Sequence, residues 1–305
     1  MAEGLPRPSG TFDSAAAGRG YLVLASVTWV LLVFGASVRV HGAGLSCPDW
    51  PLCFGRVVPQ LDFHVFLEWG HRALAGCISL GFLALGAWVL RDPGARRRTG
   101  PLVVLSAVIL VTQIVLGGLT VLHLLATWSV TLHLLTGSAF FASLLVIARS
   151  LRAPAAAAPV PWLLRGLAVA LTLAFVVQLG LGGLVASQWA GLACTEWPTC
   201  NAGVWFPTLD GIVGLQLAHR AGAYTLLAVA WGYAGAARGH VDVATPALRV
   251  AALVTLQALL GIANVLFAMP VELAIAHSGL ASLLTAAVVF AVWPAFAARA
   301  VPVPA

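Results

Sequence analysis

Lysine is absent from this 305-residue chain, and charged residues of all kinds make up only 9% of it. Soluble domains carry about 25% charged residues, because a chain folded in water needs a polar skin. This chain cannot make one, so the two soluble domains that its length would permit are excluded. Apolar residues reach 61%, which excludes disorder, since disordered chains are poor in them. The composition leaves a polytopic membrane protein. With lysine missing, all the basic charge is arginine: sixteen against ten acids give +6 and a pI near 9.6. The arginines lie in short groups between apolar runs. They read as topology signals and not as a nucleic-acid surface.

A helix crossing ~30 Å of hydrocarbon needs ~20 residues. Eight runs qualify, at roughly 20–41, 67–90, 101–122, 127–148, 163–186, 213–235, 246–268 and 273–296. No small-residue cleavage site follows the first, so 1–19 is expected to be a retained cytoplasmic tail. Eight crossings put both termini on one side. Arg7, Arg19, Arg91, Arg96, Arg97, Arg98, Arg149, Arg152, Arg165, Arg238, Arg249 and Arg299 fall on that side, and Arg39, Arg56, Arg72 and Arg220 on the other. The excess makes the first side cytoplasmic and turns loops 42–66 and 187–212 outward.

Four of the five cysteines lie in those outward loops. Cys47 and Cys53 are six apart, as are Cys194 and Cys200. On an oxidising side such pairs read as disulfides, structural or redox-labile. A thiol-redox or metal site is the alternative, although two cysteines per loop are too few for closed zinc. Cys77, inside the second span, is expected to be a small apolar core residue.

The chain also repeats itself. Gly44-Leu45-Ser46-Cys47-Pro48-Asp49-Trp50-Pro51-Leu52-Cys53 matches Gly191 through Cys200 at an offset of 147. His71-Arg72 matches His219-Arg220 at 148; Gln113, Leu116-Gly117 and His133 match Gln257, Leu260-Gly261 and His277 at 144. Four spans per half preserve orientation, which predicts two halves related by an axis along the membrane normal. The expected fold is an all-α membrane protein of eight transmembrane helices in two pseudo-symmetric four-helix bundles, 20–150 and 163–297.

Of the eight histidines, His41, His64, His123 and His240 fall at membrane edges or in loops and read as interfacial. His71, His133, His219 and His277 recur between halves, at similar depth near the outer ends of their spans. An imidazole inside a span is costly and needs a reason. An interhelical hydrogen bond is one. Two facing histidines per bundle, occurring twice, point further, to a cofactor held between helices. Imidazoles without nearby thiolate or acidic ligands suit heme iron, one bis-histidine iron per bundle. Arg72 and Arg220 are candidates for heme propionates, with headgroup snorkelling as the alternative. Gly117, Gly118, Gly182, Gly183 and Gly261 allow close approach, of helices first of all.

The halves differ at one place. Glu68 lies three residues before His71, on the same helical face, and its counterpart is Gln216. A carboxylate beside one site and an amide beside the other suggests different duties, with the first half suited to proton-coupled chemistry. A helix-dipole role for Glu68 is the plain alternative.

At these residues the chain resembles the heme A synthase family. The resemblance spans all eight runs and is carried by residues 44–53, Glu68-x-x-His71-Arg72, Gln113-x-x-Leu116-Gly117-Gly118 and His133. In the second half it is carried by Cys194 to Cys200, His219-Arg220, Gln257-x-x-Leu260-Gly261-x-x-Asn264 and His277. It implies an enzyme that oxidises a ring methyl of heme O to a formyl group, giving heme A for terminal oxidases. It implies heme b ligated by His219 and His277, substrate heme between His71 and His133, an essential Glu68, and a first-loop pair Cys47–Cys53. It also implies a bacterial-type plasma membrane location, an electron acceptor of unknown identity, and association with heme O synthase and cytochrome oxidase assembly. A bis-histidine heme has no open position for oxygen, so the expected route removes electrons from the macrocycle and takes oxygen from water. The rivals are a di-heme cytochrome that only relays electrons and a transporter of two parallel repeats. The latter predicts polar groups at the midplane, where this chain is mostly Leu, Val and Ala.

Overall fold

The computed structural model describes residues 12–152 and 160–296. Most of the expected tail, with Arg7, lies outside them, as do Arg299 and position 297. The described residues form eight long helices: α1 (Ser14–Val40), α2 (Phe63–Arg91), α3 (Pro93–Leu122), α4 (Thr127–Leu151), α5 (Trp162–Ser187), α6 (Gly211–Ala236), α7 (Val241–Leu266) and α8 (Val271–Phe296). Among the described residues there is no named strand.

Three helices outrun their apolar stretches at the N-terminus because an aspartate caps them. The Asp13 carboxylate accepts from the amides of Ala15 and Ala16. Asp62 accepts from Val65. Asp92 accepts from Ala95, with Pro93 in the first turn, where its missing N–H costs nothing. α1 therefore starts at Ser14, inside the stretch read as tail.

Seven helices are long and apolar enough to cross a membrane. The eighth, α6, has the length but is diluted by Gln216, His219 and Arg220 and by its glycines. The residues that weaken it as a span are those that recur with functional pattern. Cys77 departs from expectation: it is a free cysteine on an exposed surface, not in the core.

α1 packs on α2 and α4, and α3 on α2 and α4; in the second half α5 packs on α6 and α8, and α7 on α6 and α8. The halves meet where α1 and α4 touch α8 and where α4 touches α5. Two apolar cores result. One gathers Tyr21, Phe82, Phe140, Phe141 and Leu144; the other gathers Phe175, Tyr233, Val250 and Leu284. Both lie toward the helix ends opposite the cysteine loops. In lipid, burying leucine against leucine gains little transfer energy, so fit and dispersion hold these cores together. The guanidinium of Arg149 on α4 sits 5.6 Å from the ring of Phe290 and 5.3 Å from that of Trp293, a cation–π clasp onto α8.

The backbone repeats as the sequence does. Leu124 and Leu125 turn between α3 and α4 in the left-handed region, and Ala268 and Met269 do so between α7 and α8. Leu125 N–H donates to Thr120 O at 2.7 Å and Met269 N–H to Asn264 O at 2.6 Å. The loop turns at Phe54-Gly55 and Ala202-Gly203 also match, with positive φ at all four residues.

Candidate functional site

Each recurrent histidine lies about two turns, or ~9–12 Å, into its helix. His71 is on α2, His133 on α4, His219 on α6 and His277 on α8. Each faces a glycine on the preceding helix. A Cβ on Gly35 would come within 3.0 Å of His71 Cε1, and on Gly117 within 3.1 Å of His133 Cε1. The figures are 3.3 Å for Gly182 and His219, and 3.2 Å for Gly261 and His277. Four times over, a missing side chain makes the slot that receives an imidazole.

In three slots a glutamine one turn before the glycine reaches the histidine. Gln113 lies 3.3 Å from His133 Nε2. Gln178 donates to His219 Nδ1 and to His219 O, both at 3.1 Å. Gln257 donates to His277 O at 3.0 Å. At the fourth slot the matching residue is Leu31, and His71 has no such anchor. The Nδ1 atoms of His71, His133 and His277 are buried without a hydrogen-bond partner among the described residues. An interhelical hydrogen bond therefore does not account for the rings of His71 and His277. His71 and His133 lie within electrostatic reach of each other, as do His277 and His219. His41, His64, His123 and His240 instead sit at or beside helix ends.

The cysteine loops cover these sites. Cys47 is bonded to Cys53, with Cα atoms 4.7 Å apart, and Cys194 to Cys200, at 4.4 Å. Within the first loop the Asp49 carboxylate accepts from Phe54 N–H at 2.6 Å and Gly55 N–H at 2.8 Å. Glu196 plays the same part for Ala202 and Gly203, at 3.1 and 3.0 Å. These bonds, to Gly55 and Gly203 first, hold both carboxyls below the usual carboxylate range.

Arg72 ties the first loop to α2. Its terminal nitrogens donate to Asp49 O and Leu52 O at 2.8 Å, to Cys47 O at 3.3 Å, and to Glu68 Oε1 at 2.5 Å. Arg220 does the same with Thr199 O, Cys194 O and Glu196 O. Both propionate candidates thus have their terminal N–H groups on loop carbonyls. Glu68, 5% exposed, also accepts from Cys47 N–H at 2.7 Å. Gln216 at the matching place donates to Gly191 O at 3.1 Å. The first site therefore has a buried carboxylate paired to a guanidinium and within one turn of a histidine. The second has a neutral amide.

Sequence reasoning missed Gly35, Leu31 and Gln178. The offset of 147 that aligns the cysteine loops also aligns Gly35 with Gly182 and Leu31 with Gln178, and was the signal available. Among the described residues no three His, Cys, Asp or Glu side chains converge as a metal site. The donor set is imidazole pairs in an apolar layer. That suits an iron already held by a macrocycle and needing two axial ligands.

This geometry defines a helical membrane protein with paired, glycine-slotted histidines beneath disulfide-closed loops. The sequence matches the COX15-CtaA family, cytochrome oxidase assembly protein, over residues 19–65 and 60–289, and the chain belongs to that family. It is 31% identical to the heme A synthase of Methylobacterium sp. strain 4-46, covering 85% of this chain and 86% of that protein. It is 32% identical to the heme A synthase of Methylobacterium nodulans, covering 83% and 84%. With the heme A synthase of Shewanella oneidensis the identity is 30%, covering 84% and 90%.

Proposed function

We propose that the chain is a heme A synthase, an enzyme that converts heme O to heme A. The observation that carries the reading is the pairing of four glycine-slotted histidines with a carboxylate at only one pair. Substrate heme lies between His71 and His133 in a bundle of α1–α4, and heme b between His219 and His277 in a bundle of α5–α8. The two bundles are related by a pseudo-twofold axis along the membrane normal. All eight helices cross a bacterial plasma membrane, with both termini cytoplasmic and the cysteine loops outside.

The residues present fit such groups. The glycine slots give each imidazole a fixed seat. With Nε2 on a metal, Nδ1 would carry the proton, and turning the Gln178 amide over would bring its unpartnered Oε1 to that N–H as acceptor. Heme b, when bound, supplies one-electron redox chemistry.

Oxidation of the methyl balances as R–CH3 + H2O → R–CHO + 4 H+ + 4 e−, through the hydroxymethyl compound after the first two electrons. The chain must therefore move four protons per product. Glu68 is the base for this work: it is buried, one turn from His71, and held in place by the Arg72 guanidinium. Arg72 and the Cys47–Cys53 loop hold it there and exclude bulk water. Gln216 cannot accept a proton, so the second half carries electrons. The electrons leave to a one-electron acceptor outside the chain, and heme O synthase and the oxidase assembly machinery are the fitting neighbours.

Pigment extraction from the purified protein tests the reading. Heme A or its hydroxymethyl precursor beside heme b supports it. Heme b alone, under conditions that supply heme O, would leave an electron-relaying cytochrome.

A further inference from the structure

Arg39 is a half-buried cation with a single weak internal partner. It sits in the last turn of α1. The ion pairs among the described residues are Arg19–Asp13 and Arg72–Glu68, so no carboxylate there partners Arg39. Its one hydrogen bond, to Ser278 Oγ on α8, is 3.5 Å long. That hydroxyl donates to Ala274 O at 3.0 Å, which leaves it only an acceptor for the guanidinium.

The side chain does not snorkel. A helical Cβ leans toward the N-terminus of its helix, here away from the cysteine loop and into the helix layer. Ser278 lies about two turns into α8, next to His277. Arg39 and His277 are close enough for their charges to interact. The register is pinned from below: Trp29 Nε1–H on α1 donates to Gly279 O at 3.1 Å, and a Cβ on Gly279 would meet Val33 at 3.3 Å. The first half thus delivers a cation to the second half's histidine. The matching residue of the second half, 147 further on, is Ala186. A guanidinium in an apolar layer, with one long bond to a neutral hydroxyl, needs an anion.

We propose that Arg39 binds a carboxylate of the porphyrin seated between His219 and His277, so that the first half closes the second half's site. The inference rests on the heme reading above. It assigns to α1 an electrostatic role at a site built by α5–α8. Because the cation disfavours the oxidised iron, it also keeps that heme easier to reduce than it would be without Arg39.

The test compares the wild type with Arg39→Leu and Arg39→Lys, each purified in neutral detergent. The readouts are the midpoint potential of the second-half heme and its rate of transfer to apomyoglobin. Each protein is then reconstituted with iron porphyrin whose carboxylates are methyl esters. With the free acid, Arg39→Leu is expected to move the potential to more negative values and to speed transfer ~10-fold or more, the scale of one lost charge-assisted hydrogen bond. Arg39→Lys should fall between. With the ester, which cannot form the charge-assisted pair, the transfer rates of the three proteins should converge. Equal potentials and transfer rates with the free acid would overturn the proposal. A transfer-rate difference that persists with the ester would also overturn it and assign the anion to a lipid headgroup. If Arg39→Leu does not fold, the wild type should still release the ester faster than the free acid, by a wider margin than Arg39→Lys does; equal margins would count against the proposal. A wild type whose heme signal is unaffected by His277→Ala would instead mean that the underlying heme reading has failed.

Discussion

Gln178 holds His219 by two hydrogen bonds from one amide nitrogen, 3.1 Å to the ring Nδ1 and 3.1 Å to the backbone carbonyl. Leu31, the matching residue of the first half, offers His71 neither. A cofactor that stays wants a rigid ligand, whereas a substrate that must leave wants one free to move. We therefore expect Gln178→Leu to loosen the second-half heme and Leu31→Gln to tighten the first. One net hydrogen bond near 1 kcal/mol corresponds to about 5-fold in heme transfer rate. Stopped-flow transfer to apomyoglobin measures both, and unchanged rates in both variants would remove the anchoring role.

The glycine slots make a steric prediction. Alanine at Gly182 places a Cβ 3.3 Å from His219 Cε1, a distance a small ring shift can absorb. Valine adds two methyls and cannot be absorbed. Gly182→Ala should retain a low-spin bis-imidazole spectrum and Gly182→Val should lose it, while both keep the helix content seen by circular dichroism. An intact spectrum in the valine variant would show that the slot does not seat the ring.

Glu68→Gln keeps the side chain's size and its acceptor for Cys47 N–H but removes the base. Turnover should fall by ~10²-fold or more, the usual yield of general-base catalysis, with heme loading unchanged. Gln216→Glu should not create activity at the second site. Turnover of Glu68→Gln near that of the wild type would remove the carboxylate from the mechanism.

The loop acids set a pH limit. Asp49 and Glu196 titrate below their ordinary values of ~3.9 and ~4.3 because their anions accept loop N–H bonds, to Gly55 and Gly203 first. A depressed folded-state pKa gives stability that is complete above the unfolded value and lost as pH falls through the folded one. The loops should therefore hold from pH 8 to about 5 and loosen only below ~4. Fluorescence of Trp50 and Trp197, which lie in these loops, reports it. A transition between pH 5 and 7 would implicate other groups.

Much of this architecture was legible because lipid imposes long apolar runs and because the duplication marks its own landmarks. The four histidines and the cysteine pairs stood out by recurring at nearly constant offsets. What stayed hidden depends on contacts between helices. Glycine in a membrane helix is common, so nothing set Gly35 apart until its slot for His71 was visible. Arg72 and Arg220 stood out beside histidines as propionate candidates, but nothing in the sequence showed that carbonyl oxygens of a loop twenty or more residues away accept from their terminal nitrogens, or that Arg72 also pairs with Glu68. Cys77 was misplaced because α2 is apolar on nearly every side, and such a helix does not announce which face meets lipid. The weak apolarity of α6 follows from the same His219-Arg220 pair that made it recognisable.

Under the proposed function, each of two imidazole pairs holds one iron porphyrin, and the two porphyrins differ. Low-temperature electron paramagnetic resonance on the purified wild type, His71→Ala and His277→Ala addresses that directly. We expect a low-spin bis-imidazole heme b signal that survives His71→Ala and vanishes in His277→Ala. A protein without bound heme, or a heme signal indifferent to His277→Ala, would contradict it.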